Sequence, residues 1–330
     1  MKALVYTQRN EVTYRDEPAP SRGEGEVLIA IDAVGICGSD MHAYHGHDPR
    51  RVPPLILGHE LAGRILEGPG TGRRVTVNPL ITCGTCEFCK QGRDNLCANR
   101  TMIGMTRPGG FAQLMTTAAA SVIDIPQDMS VRAAALTEPA ATALHAIALA
   151  SRALARPLPE CRVLILGGGA VGLLSSLLVG SYGVRHIAVA ETNALRRAAL
   201  AKAAGVAVYD PVAGGAPADA SVDLVIDAVG ATATRHAAMA AVKPGGVVMH
   251  IGLQDRASEI DMRKLTLAEI TLIGTYTYAT ADLRAAVTAL HEGAFGDLAW
   301  VEERALADGA AAFRDLHEGR TAAANIVLRP

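Results

Sequence analysis

Four cysteines crowd one short stretch, Cys83, Cys86, Cys89 and Cys97, spaced C-x2-C-x2-C-x7-C in CGTCEFCKQGRDNLC. Four thiolates on a loop with turn-forming Gly84 and Gly92 suit one tetrahedral zinc ion, and an all-sulfur shell leaves no open position for a substrate. Such a site is structural, binding metal to fold its own loop. An iron–sulfur cluster is the competing metal and unliganded thiols the bland alternative, but four thiols this close seldom go unliganded. A second set is Cys37 in GICGSD with His59 and Glu60 in GHELAG. Thiolate, imidazole and carboxylate form the mixed ligand set of a catalytic zinc, which keeps a position for water or substrate. A cysteine and a histidine this far apart in sequence are weak evidence alone. The nearby His42, His45 and His47 read mostly as ordinary solvated or hydrogen-bonded side chains.

The third pattern is glycine-based. Gly167, Gly169 and Gly172 stand at the first, third and sixth places of GGGAVG, directly after the apolar run Val163–Leu166. Glycines so placed let the chain turn, let backbone approach a pyrophosphate and let a helix pack on a strand. The helix N-terminus then offers N–H groups and a positive dipole end to the phosphates. Glu191 follows at the end of the next strand, where a carboxylate accepts hydrogen bonds from a ribose and repels a 2′-phosphate. That favours NAD over NADP. Arg196 and Arg197 are the counter-signal, though solvated helix charges are their blander role.

These side chains need elements to hold them. The first third of the chain reads as β-rich, with short apolar runs at Val27–Val34, Leu61–Leu66 and Arg74–Val77 between Gly, Pro and Asp turns. An alanine-rich helical stretch, Ala133–Ala155, follows and is expected to break at Pro139. Strands and helices then alternate. The strands are Arg162–Leu166, His186–Ala190, Val206–Tyr209, Val222–Asp227, Gly246–Ile251 and Ile270–Thr275, with helices at Ala170–Tyr182, Asn193–Ala204 and Ala231–Val242. That alternation predicts an α/β fold with a doubly wound parallel sheet. The last stretch carries helical segments Thr280–Glu292 and Asp308–Glu318 and a strand, Ala324–Leu328.

Length and composition bound the answer. With 330 residues, about two domains are expected. Half the residues are hydrophobic and the formal net charge is −2, so the chain has material for a core and no electrostatic footprint for nucleic acid or an anionic membrane. Residues 163–184 carry no charge and are long enough to span a bilayer, but their glycines fit a strand-turn-helix better. The N-terminus lacks the apolar run of a secretion signal, and the thiols need a reducing environment, so a cytoplasmic protein is expected.

The ordered set CGSDMH, GHELAG, the four-cysteine lobe, EPAATALHA, LGGGAVG and VIDAVG resembles the zinc-containing medium-chain dehydrogenase/reductase superfamily, on its alcohol, polyol and threonine dehydrogenase side. The resemblance covers essentially the whole chain. It implies a GroES-like β-rich catalytic domain, residues 1–137 and 276–330, around a Rossmann dinucleotide-binding domain, residues 138–275. It implies two zinc ions per chain. Cys37 and His59 resemble zinc ligands, Glu60 the carboxylate that binds the metal or stands behind it, and Glu138 the third-ligand position of the polyol and threonine branches, touching zinc directly or through water. Ser39 resembles the hydroxyl that takes the substrate proton, and His42 the histidine that relays it. Cofactor contacts are implied at Gly167, Gly169, Ala170, Val171, Gly172, Glu191, Arg196, Ala228 and Gly252. Tyr278 is similar to a tyrosine of polyol enzymes, but Thr277 replaces their arginine, and Arg107-Pro108-Gly109 resembles threonine dehydrogenases as much.

The implied reaction is hydride transfer between a secondary alcohol or polyol and NAD, giving a ketone or aldehyde. An NADPH-dependent zinc aldehyde or ketone reductase and an L-threonine dehydrogenase-like amino-alcohol oxidation are the alternatives. A dinucleotide-binding protein without turnover leaves Ser39 and His42 unexplained, and a zinc-ribbon interaction protein leaves the glycine motif unexplained. The family implies a homodimer or homotetramer.

Overall fold

The computed structural model describes residues 1–330. The chain forms two compact units, Met1–Ala141 with Ala279–Gly293 and Val301–Pro330, and Thr142–Tyr278 with Ala294–Trp300. The short return Ala294–Trp300 thus belongs to the second unit, although it lies between segments of the first.

The first unit is built on β-structure. Its larger sheet runs Val122–Asp124, Arg74–Val77, Glu60–Glu67, Glu26–Gly35, Asn325–Arg329 and Val301–Ala305, with Leu114–Ala118 also pairing Glu26–Gly35. A smaller sheet joins Lys2–Gln8, Glu11–Asp16 and Leu55–Ile56. Apolar residues Ile29, Ile31, Val34, Leu61 and Ile65 alternate inward along the two central strands and meet Phe111 and Phe313 in one core. Gly35 pairs Glu60 across those strands. The end of this pairing is therefore where both short site motifs emerge.

The second unit is a six-stranded parallel sheet. Its order is Ala207–Tyr209, His186–Ala190, Arg162–Leu166, Val222–Asp227, Val242–His250 and Thr271–Gly274. In chain order that is 3-2-1-4-5-6, so direction reverses between Arg162–Leu166 and Val222–Asp227. Backbones pack tightly at that switch. A Cβ on Gly230 would stand 1.9 Å from the Gly252 carbonyl oxygen, and one on Gly172 would stand 1.9 Å from the Gly167 oxygen.

The expected elements sit within a few residues of the observed ones, with one correction. The alanine-rich stretch breaks at Leu136, between helices Val131–Ala135 and Thr137–Ala153, not at Pro139. Pro139 lies in the first helical turn, where its missing N–H has no intrahelical partner to lose. The uncharged 163–184 stretch divides into the strand Arg162–Leu166 and the helix Ala170–Ser181, and no helix is long and apolar enough to cross a membrane.

Candidate metal and dinucleotide sites

Cys37 ends the turn after Glu26–Gly35 and caps the short helix Gly38–Tyr44. Its sulfur accepts from Ser39 N at 3.4 Å, while its own N–H donates to the Asp40 carboxylate at 3.1 Å. This reciprocal cap fixes the thiol and the carboxylate together. His59 and Glu60 open the neighbouring strand, and the ligand atoms of Cys37, His59 and Glu60 all lie within 4.8 Å of one another. His59 and Glu60 are buried.

Each imidazole nitrogen of His59 faces a different partner. Nε2 lies 3.4 Å from the Ser39 hydroxyl, and Nδ1 lies 3.5 Å from Asp40 Oδ1. Burial pushes the imidazole down, but Asp40 and Cys37 outweigh it and hold His59 well above its usual range. Burial and the Glu138 carboxylate push the Glu60 carboxyl up to about 8. Burial and Glu60 likewise raise the Cys37 thiol. Glu60 Oε2 accepts from Asn325 Nδ2 at 2.9 Å, whereas buried Glu60 Oε1 has no hydrogen-bond partner. A thiol and carboxyl groups confined around one imidazole, with a carboxylate oxygen left unpaired, form a donor set that a divalent cation satisfies. The residues fit a zinc ion. Glu138 is buried and close enough to act on Cys37 and Glu60 through its charge, but it stands outside the tight cluster of ligand atoms.

Three residues in this shell are not among those expected from the sequence. Asp40 orients His59 from behind. Arg51 is buried and donates to Ser39 Oγ at 3.0 Å, Ser39 O at 2.8 Å and Asp48 at 2.9 Å. Asn325 reaches Glu60 from the last strand. Of these, Asp40 was within reach, because a carboxylate behind a metal-binding histidine is a recurring arrangement and CGSD places one three residues after the cysteine. Gly35 completes the shell, since a Cβ there would stand 2.2 Å from Glu60 Oε2. His42 lies three positions beyond Ser39 on the same helix face, half-buried, and is lowered by burial, His47 and Arg51.

The four-cysteine loop closes on itself. Sulfur separations are 4.0 Å for Cys83–Cys89, 3.5 Å for Cys86–Cys89 and 3.6 Å for Cys83–Cys97. Tetrahedral coordination at about 2.3 Å per Zn–S bond requires sulfurs about 3.8 Å apart. The loop matches that spacing. Backbone N–H groups of Thr85 and Cys86 draw the Cys83 thiol down to about 5, while burial and Cys86 push Cys89 up to about 11. The sixth cysteine, Cys161, is fully buried at the entry to the first strand of the second unit.

In the second unit Gly167 takes a positive φ of 97° and turns the chain from strand to helix. Gly169 precedes Ala170 and Val171 and offers no side chain to cap the helix Ala170–Ser181, and a Cβ there would meet nothing within 4 Å. That open approach and uncapped terminus fit a pyrophosphate. Glu191 folds over the same turn, accepting from Gly168 N at 3.0 Å and Asn193 N at 2.7 Å. Arg196 and Arg197 are not the solvated charges expected. Arg196 Nη1 lies 3.4 Å from the Glu191 carboxylate, and Arg197 Nη1 donates to the Glu191 carbonyl at 2.9 Å. They are drawn in because the cap at Asn193 starts the helix beside Glu191. Ala228 and Gly252 sit at the carboxyl ends of the fourth and fifth strands of this sheet. Tyr278 is fully buried, and Arg107 pairs with Glu26 at 2.7 Å.

The family model for the alcohol dehydrogenase GroES-like domain matches residues 23–127, and that for the zinc-binding dehydrogenase matches residues 170–292. L-galactonate-5-dehydrogenase of Escherichia coli K12 is 30% identical over 308 residues, 89% of this chain and 88% of that protein. A Sinorhizobium meliloti 1021 structure described as a zinc-binding dehydrogenase bound to NADP is 30% identical, with a TM-score of 0.87 over 100% of this chain and 99% of that one. Acetophenone reductase from Geotrichum candidum NBRC 4597, in complex with NAD, is 27% identical, with a TM-score of 0.88 over 100% and 97%. The β-rich unit is thus GroES-like and the parallel sheet Rossmann-type, and the chain belongs to the zinc-containing medium-chain dehydrogenase/reductase superfamily of oxidoreductases.

Proposed function

We propose that the protein oxidises a secondary alcohol or polyol-type substrate with NAD, holding one catalytic and one structural zinc per chain. The carrying observation is the convergence of Cys37, His59 and Glu60 within 4.8 Å, with a carboxylate oxygen left over. In this reading Cys37, His59 and Glu60 hold the catalytic zinc, Glu138 stands behind them, and Cys83, Cys86, Cys89 and Cys97 hold the other. Residues 1–137 and 276–330 serve as the catalytic domain and 138–275 as the cofactor domain. When bound, the zinc acts as a Lewis acid that brings the pKa of a substrate hydroxyl toward neutrality.

The chain supplies the proton path. Arg51 donates to the Ser39 oxygen, which leaves the Ser39 O–H as donor onward and its other lone pair for the substrate proton. His42, lowered by burial, is kept ready to take that proton toward solvent. Asp40 holds His59 with Nε2 toward the cluster. Gly167, Gly169, Ala170, Val171 and Gly172 receive the pyrophosphate, Glu191 the ribose, and Ala228 and Gly252 line the switch point. The sugar-acid name of the Escherichia coli relative supports a polyol-type substrate. A cytoplasmic homodimer or homotetramer completes the reading.

A second reading, an NADPH-dependent carbonyl reductase, is favoured by Arg196, whose guanidinium already lies at Glu191. The test is a screen of reduced-nicotinamide absorbance across polyols, sugar acids, threonine and secondary alcohols with each cofactor, alongside metal analysis. We expect NAD-linked oxidation of a polyol-type alcohol, two zinc ions per wild-type chain, and one in Cys37→Ser with activity lost. Full activity in Cys37→Ser overturns the assignment.

A further inference from the structure

The second unit carries a cluster of polar side chains that the proposed chemistry leaves unused. Asp255, in the loop after the fifth strand of the parallel sheet, accepts from both the N–H and the hydroxyl of Thr232 with one oxygen, Oδ2, at 2.7 and 2.9 Å. Arg235 lies one turn further along the helix Thr232–Ala241 and donates to the Asp255 carbonyl, to Ser258 Oγ at 3.0 Å and to His250 Nε2 at 2.9 Å. We propose that Asp255 and Arg235 are positioning residues for the nicotinamide half of the dinucleotide, clamping the loop 251–258 where that half must lie. The proposal rests on the reading that this unit binds a dinucleotide, and deepens it by naming the residues that hold its reactive end.

The location follows from topology. A doubly wound sheet takes its dinucleotide across the reversal of strand order, one mononucleotide on each half. Glu191 follows the second strand, so the adenosine belongs to the half built from the first three strands. The nicotinamide half then lies over the carboxyl ends of the fourth and fifth strands, Val222–Asp227 and Val242–His250. The loops that leave those ends are 228–231 and 251–258.

Each loop is fixed in a different way. Fully buried Asp227 holds the first: its Oδ1 accepts from the Val229 and Gly230 N–H groups at 3.0 and 2.8 Å, and its Oδ2 from the Thr234 hydroxyl at 3.0 Å. The second loop leans on the first through backbone bonds. Ile251 and Gly252 N–H donate to the Asp227 carbonyl at 2.9 and 3.0 Å, Gln254 N–H to the Val229 carbonyl at 3.1 Å, and Asp255 N–H to the Gly230 carbonyl at 2.9 Å. Side chains then finish the attachment. The helix Thr232–Ala241 starts at Ala231, which has no oxygen to cap it, so Asp255 supplies the cap from the loop. The Thr232 N–H and hydroxyl hold the Asp255 carboxyl below its usual range. The planar fork of Arg235 reaches the strand end at His250 and two points of the loop at once. Residues 252–254 are therefore ordered before a ligand arrives, and binding need not supply the free energy of ordering them.

The test compares two ligands on the full chain and its variants. One is the reduced dinucleotide that the wild type binds more tightly, NADH or NADPH, followed by nicotinamide fluorescence. The other is its counterpart without the nicotinamide, ADP-ribose or the 2′-phosphate of ADP-ribose, followed by calorimetry. We expect Asp255→Ala and Arg235→Lys each to weaken the dinucleotide at least fivefold and to leave the truncated ligand within twofold of wild type. Asp255→Asn should bind both ligands within twofold, because an amide oxygen can take the place of Oδ2 at the cap. Thermal melts identify a variant that does not fold, and Arg235→Lys carries the test if Asp255→Ala is one. A ratio of the two affinities that does not move, whether neither ligand weakens or both weaken together, overturns the proposal alone. A wild type that binds neither ligand overturns the dinucleotide reading and the proposal with it.

Discussion

Asp40→Asn removes one negative charge and almost no volume, so it isolates what the carboxylate does behind His59. Asp40 Oδ2 accepts from Cys37 N–H at 3.1 Å, and Oδ1 faces His59 Nδ1 at 3.5 Å, with Arg51 Nη2 3.9 Å away. An amide has one acceptor for these two donors. If its oxygen stays on the Cys37 N–H, its NH2 meets His59 Nδ1 and forces the proton onto Nε2, the nitrogen needed for the metal. If it turns over, the cap on the helix Gly38–Tyr44 is lost, at about 1 kcal/mol. Exchanging a charge-assisted contact for a neutral one costs about another 1–2 kcal/mol. We therefore expect zinc at the catalytic site to bind about 10–100-fold more weakly, the range for groups that orient metal ligands. The assay is zinc loss to a graded chelator, read beside kcat/KM with and without added zinc. The dinucleotide Kd, measured by quenching, reports on the other unit and should not move. If Asp40→Asn holds zinc and keeps kcat/KM within twofold of wild type, the orienting role fails.

Two further substitutions probe the cofactor side. Glu191→Ala should raise KM for NAD by about tenfold or more and bring the NADP constant closer to it, because a charged ribose acceptor is lost and Arg196 is freed for a phosphate; steady-state kinetics with both cofactors decides, and an unchanged ratio contradicts the assignment. Gly172→Ala drives a methyl to within 1.9 Å of the Gly167 oxygen, so a lower Tm and a dinucleotide affinity reduced at least tenfold are expected by calorimetry.

Most of the architecture was legible because it rests on local pattern. The alternation of apolar strands with helices predicts a doubly wound parallel sheet, and the glycine spacing places a strand-turn-helix at Gly167–Gly172, while the strand order 3-2-1-4-5-6 comes from the structure. The site was legible only where chemistry and short range coincide, as at the four cysteines and at the adjacent His59 and Glu60. What escaped is long range or depends on context. Asn325 meets Glu60 only after the last strand pairs Val34 and Gly35. Arg51 looks like any loop arginine until burial shows it bonded to Ser39. The contacts of Arg196 and Arg197 with Glu191 were not legible, because a helix sequence shows which residues are charged, not which carboxylate the cap brings beside them.

That last strand also sets an order of assembly. Val327 and Leu328 pair with Gly35 and Val34, so the edge beside the Cys37 turn is covered only by residues made after the parallel sheet is complete. The parallel sheet, by contrast, is complete once Thr271–Gly274 has emerged. On the ribosome the inserted unit can therefore fold while the unit surrounding it still exposes an unpaired strand. Stalled or truncated chains should be the aggregation-prone species, able to hold a nucleotide before they can hold Glu60 in place.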